Sequence, residues 1–301
     1  MATMDPELEP YVPLASGLDL GDPAAARSRL AQVIASLPEP DTSRMEVRDH
    51  TVPGTPDVPV RIYRPHRSRG AVVWLHGGGF VMGDLDTEHP WAALLADLSG
   101  ATVVSTGYRL APEHPFPAPH DDARTVLAWA CDHAEELGTE PDRIAVGGHS
   151  CGGALAASLA LRARDEGGPP VRFQLLHQAC FDDRQLTRSA RTFTDTPFAT
   201  RKAVLHAWEH YLGPSPATPY AAPARAGDLS GLPPAYIACA EFCPNRDEDI
   251  EYAVRLMQAG VPVELHQWPG TFHGSHQIRS AEISQLQFAE IGTALRRGLA
   301  G

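Results

Sequence analysis

The sequence predicts an α/β protein built on a doubly wound, mostly parallel sheet. From about residue 58 onward, short apolar runs alternate with Ala-rich or amphipathic runs. Several of the apolar runs lack the polar–apolar alternation of a half-exposed strand, which is the pattern of strands covered on both faces. The chain has 301 residues, 43% hydrophobic and 21% charged. That is ordinary globular composition, with enough length for one such domain.

The elements follow in order. Residues 1–45 read as a helix-containing lead-in, where Asp22 caps a helix that Pro23 opens and Leu30, Val33 and Ile34 recur at helical spacing. Strands are expected at 58–63, 71–76, 102–106, 143–147, 173–177, 235–240 and 263–268. Helices are expected at 90–98, 121–137, 153–165, 246–259 and 281–299. Residues 181–234 break the alternation with a Thr/Arg/Pro-rich stretch and one helix at 201–212. An insertion that long is usually functional. With residues 1–45 it reads as a cap, leaving 46–180 and 235–301 as the two parts of the catalytic α/β domain.

Charge narrows the partners. A net charge of -12, with Lys202 the only lysine, argues against nucleic acid and anionic membranes. The first residues have neither a basic start nor an apolar core, so no signal peptide is expected, and no apolar run reaches bilayer length. Five cysteines without framework spacing point to a reduced, cytoplasmic protein. The wealth of Ala, Gly, Pro and Arg fits a GC-rich bacterial genome. An exposed edge strand would offer a homodimer contact.

The chemistry centres on Gly148-His149-Ser150-Cys151-Gly152, between an expected strand and an Ala-rich helix. Small residues around Ser150 allow a sharp turn that lifts its hydroxyl above the sheet, as a nucleophile elbow requires. Upstream, His76-Gly77-Gly78-Gly79-Phe80 follows another strand. Three consecutive glycines leave backbone N–H groups free to face a developing oxyanion. His273 lies just past the last expected strand, where a loop can bring a general base to Ser150. Its position selects it over His266 and His276.

These segments, with Tyr108-Arg109-Leu110-Ala111-Pro112-Glu113-His114-Pro115-Phe116-Pro117-Ala118, Leu232-Pro233-Pro234-Ala235 and His273-Gly274, resemble the bacterial hormone-sensitive-lipase-like carboxylesterases. The resemblance runs from about Val58 to the C-terminus. It implies an α/β-hydrolase fold with a helical cap, no cofactor, and hydrolysis of short acyl esters by a serine nucleophile; no metal site is expected either, since the cysteines show no short C-x-x-C spacing. It assigns the oxyanion hole to the N–H groups of Gly78, Gly79 and Cys151. Phe80, His149, Cys180, Trp208 and Tyr211 are expected to line the substrate pocket, with Phe198 of the insertion beside them.

One departure matters. The family carries Asp-Pro-Leu-Arg-Asp-Glu before the histidine, and its first Asp is the triad acid. Here the stretch reads Cys243-Pro244-Asn245-Arg246-Asp247-Glu248. Cysteine also stands at 151, where Ala is common, and at 180, where Tyr-Pro usually ends the run. A neutral group in place of a triad Asp lowers the rate on the order of 10⁴-fold. A thiolate beside His273 would hold it protonated and unable to accept the Ser150 proton. Three readings therefore stand. In the first, Glu241, Asp247 or Asp249 substitutes for the acid, or hydrolysis is weak. In the second, the pocket serves a non-hydrolytic reaction such as elimination, cyclisation, acyl transfer or decarboxylation. In the third, the chain is a catalytically silent ligand-binding protein, although the silent members of the family lost the histidine that this chain keeps.

Overall fold

The computed structural model, described over residues 3–15 and 19–300, contains eight strands. They are β1 (Met45–Val52), β2 (Val58–Pro65), β3 (Ala71–Leu75), β4 (Thr102–Thr106), β5 (Ile144–His149), β6 (Gln174–His177), β7 (Ala235–Phe242) and β8 (Val263–Phe272). The helices are α1 (Val12–Ala15), α2 (Pro23–Ala35), α3 (Leu85–Ser99), α4 (Ala118–Asp132), α5 (Cys151–Glu166), α6 (Arg188–Thr192), α7 (Arg201–Leu212), α8 (Arg246–Gln258) and α9 (Glu282–Ala300). One sheet runs in the order β1-β2-β4-β3-β5-β6-β7-β8. β1 and β2 pair antiparallel, β2 meets β4 antiparallel, and every later pair is parallel.

Burial on both faces explains the unbroken apolar strands. In β3, Val73 and Leu75 pack into the core beneath α4, α5 and α8. Val72 and Trp74 point the other way, into the core under α3 and α9. All five β3 residues are buried, so neither face tolerates a polar residue.

Five differences from expectation stand out. β1 was not anticipated, because it is an edge strand whose Glu46, Arg48, Asp49 and His50 hide any apolar run. α3 starts at Leu85, five residues early, since Asp84 and Thr87 form a reciprocal capping box. α4 ends at Asp132, after which 133–137 form turns rather than more helix. α6 is a single short turn of helix capped by Thr187. β7 and β8 both run longer than expected, and the extension of β8 carries the chain to His273.

Candidate active site

β5 delivers Ser150 at the head of α5. Ser150 has φ 55 and ψ −127, a conformation L-residues rarely adopt, so the turn stores strain at the reacting position. The flanking glycines make the turn sterically feasible. A Cβ on Gly148 would strike the Leu75 carbonyl and the Gly152 backbone, and one on Gly152 would strike the Leu75 and His76 carbonyls. The Ser150 N–H is held by the His177 carbonyl at 2.9 Å.

β8 brings His273 to the same point. His273 Nε2 lies 3.0 Å from Ser150 Oγ. On the far side of the ring, Nδ1 lies 3.3 Å from Cys243 Sγ. The Asn245 backbone N–H also donates to that sulfur, at 3.4 Å. Burial lowers the His273 pKa to about 4, with a smaller push from His149. Burial pushes the Cys243 thiol well above its usual range, and Asp249 adds to that. Both groups are therefore neutral near pH 7. With Nδ1–H donating to sulfur, Nε2 is free to take the Ser150 proton. With the thiol donating to Nδ1, the ring would hold its proton on the wrong nitrogen. The Asn245 N–H already treats the sulfur as an acceptor, which favours the productive arrangement.

The carboxylates nearby are committed elsewhere. Glu241 Oε2 accepts the Gly270 N–H at 2.7 Å. Asp247 Oδ2 accepts the Ser189 N–H at 2.7 Å, and its other oxygen pairs with Arg246. Neither reaches His273, so the expectation that one of them substitutes as acid finds no contact in the structure. Asp249 is fully buried and acts on Cys243 electrostatically, yet neither of its oxygens makes a regular hydrogen bond.

The glycine run forms the opposite wall. Gly78 and Gly79 have φ 120 and 59, and a Cβ on Gly78 would meet the Met82 carbonyl. The Phe80 N–H donates to Cys151 Sγ at 3.1 Å, tying this loop to the elbow. Cys151 thus points its side chain away from the cavity while its backbone opens α5. Burial raises its thiol pKa to about 11. The Gly77 N–H donates to His149 Nε2 at 3.0 Å, and Glu88 receives the Trp74 indole N–H at 2.6 Å just behind. Nothing in the sequence pattern marked Glu88 as a buried partner of this wall.

A narrow cavity of about 60 Å³ opens on Ser150 and His273. His149, Cys180, Trp208 and Phe198 are among the residues that line it. Phe80 and Tyr211 do not. Their rings stack at 3.8 Å and are fully buried behind the wall. Phe80 has φ 63, and its ring packs in the core against Tyr211 and Trp208. Leu20, Asn245 and Gln277 line the cavity without having been anticipated as pocket residues. Asn245 alone carried a signal, as a polar residue where the resembled motif has Leu. Among the described residues, no cluster of His, Cys, Asp or Glu is arranged to hold a metal ion. All five cysteines are free and buried. No described helix is long and apolar enough to cross a membrane.

The chain belongs to the α/β hydrolase fold family, which it matches over residues 72–277. Within that family it is carboxylesterase-like. It is 42% identical to esterase LipI of Mycobacterium tuberculosis, over 81% of this chain and 79% of the relative. It is also 42% identical to carboxylesterase NlhH of the same species, over 83% and 81%. Among solved structures, a bacterial heroin esterase superposes with a TM-score of 0.94 at 43% identity, covering 99% of both chains.

Proposed function

We propose that the chain hydrolyses short carboxylic esters through an acyl-enzyme on Ser150. One observation carries the reading: His273 Nε2 sits 3.0 Å from Ser150 Oγ, at the mouth of a narrow cavity. His273 takes the serine proton as Oγ attacks the ester carbonyl, then returns it to the departing alcohol. The N–H groups of Gly78, Gly79 and Cys151 receive the oxyanion, aided by the positive end of α5. Residues 1–45 and 181–234 form the cap, since Leu20 and Trp208 both line the cavity. Carboxylesterase relatives of high identity support the same reaction class.

Cys243 takes the place of the triad acid. A thiol fixes the ring through one weak hydrogen bond and offers no negative charge to the imidazolium that forms. Turnover is therefore slow for this fold. The decisive experiment measures kcat on a short aryl ester for the unmodified chain, Ser150→Ala and Cys243→Asp. Ser150→Ala should abolish turnover. Cys243→Asp should raise kcat by roughly 10²–10⁴-fold. A fast unmodified chain with no response to Cys243→Asp would show that another group orients His273. No ester turnover in either chain would sink the hydrolase reading.

A further inference from the structure

Asn245 is only 2% exposed and lines the same cavity as Ser150 and His273. Its backbone N–H is used by Cys243, but its side-chain Oδ1 is buried without a partner. A buried amide left unpaired is costly, and an apolar side chain would fill the position without that cost. Trp208 approaches from α7, on the cap side. It lines the cavity too, and its indole N–H is likewise buried and unpartnered. Two residues that line one narrow cavity, from two separate elements, thus each carry a buried polar atom without a partner. Among the described residues, no Arg, Lys, Asp or Glu lines it, so it holds no permanently charged side chain to pair with an ionic group.

We propose that the substrate is a short ester carrying a second, uncharged hydrogen-bonding group, a hydroxyl or an amide, that pairs with Asn245. A hydroxyl donates to Oδ1 while its oxygen accepts an N–H. The small cavity keeps the rest of the substrate short. Selectivity follows because a plain alkyl ester of equal size leaves the buried amide unpaired. The inference rests on the ester-hydrolase reading of Ser150, and names the substrate class for that site.

The test uses two matched pairs. An aryl hydroxybutyrate is compared with the aryl butyrate, and hydroxypropyl acetate with propyl acetate, so that both sides of the ester are sampled. In one pair the hydroxylated member should have a kcat/KM about tenfold higher or more. Asn245→Leu should erase that preference, bringing the ratio to about one or below. If Leu does not fit, Asn245→Ala should give the same collapse. Equal kcat/KM within about twofold in both pairs, or a preference that survives Asn245→Leu and Asn245→Ala, overturns the proposal. Binding is read separately, through the rise in unfolding midpoint given by ketone analogues of the same compounds. A hydroxyl-selective rise that Asn245→Leu removes, without any turnover, would uphold the Asn245 pairing and sink the hydrolase reading. Absence of hydroxyl selectivity in that readout overturns the pairing whatever the turnover.

Discussion

At the scale of single residues, the site is a proton path whose ends are set by burial. The His273 pKa is lowered to about 4 because burial penalises the imidazolium. The ring is therefore neutral, and able to act as a base, well below the pH where an ordinary histidine protonates. The acid limb of kcat/KM should fall near pH 4–5 rather than near about 6.5. Cys243→Asp should move that limb upward, since a carboxylate beside Nδ1 favours the charged ring. A pH–rate profile of both chains checks this; an identical limb would show that Cys243 does not face His273. Ser150, His273 and the cysteine at 243 were all legible in the sequence, because an elbow motif and strand order fix their places. The idle amide of Asn245 was legible only as a departure from a motif. The inward packing of Phe80 was not legible at all, since it depends on the rings of Trp208 and Tyr211, which α7 brings from far along the chain.

At the scale of elements, the lead-in helix packs on the wall of the site through Ala26 and Leu30, and one polar side chain ties it there. From α2, Arg27 donates to the carbonyls of Val81 and Ala111 and forms a forked pair with Glu113. The pair itself is partly solvated, so its share is small, while the two carbonyl bonds anchor the helix. Leu20, just before α2, reaches the cavity. Arg27→Ala should cost about 1–2 kcal/mol of stability. On the proposed cap reading it should also raise KM more than it lowers kcat, because the loosened segment would cover substrate without touching the reacting atoms. Urea unfolding and steady-state kinetics would show it. A loss confined to stability would mean that residues 1–45 do not act as cap. Element positions along the doubly covered strands were legible from their apolar runs. β1 was not, because an edge strand with one wet face carries charges where a central strand carries Val or Ile.

At the scale of the whole molecule, stability depends on pH through groups buried in unusual states. Burial lowers the pKa of His120 to about 4 and of His177 to about 3, and it lowers His76 and His276 as well as His273. Between about pH 6.5 and 4 the unfolded chain binds protons on these rings and the native chain does not. Stability is therefore full above the unfolded value and is lost as pH falls. Glu248 and Asp249 act in the opposite sense, because burial raises both well above the usual carboxyl range. Their contribution is present at low pH and is lost as pH rises through the native values. Five imidazoles outweigh two carboxyls on the acid side, whereas once the rings are neutral in both states the carboxyls still give a slope, joined above the ordinary thiol range by the buried cysteines, whose pKa values burial also raises. The unfolding midpoint should therefore peak near about pH 6–7 and fall on either side. His276 packs edge-on against His177 at 4.4 Å, with Nδ1 unpartnered. His276→Phe should flatten the acid slope by up to about 1.4 kcal/mol per pH unit, the value for one proton. Asp249→Asn should flatten the other side. Midpoints measured from pH 4 to 9 for the three chains decide between this and a stability governed by surface charge, which salt would level and neither substitution would change.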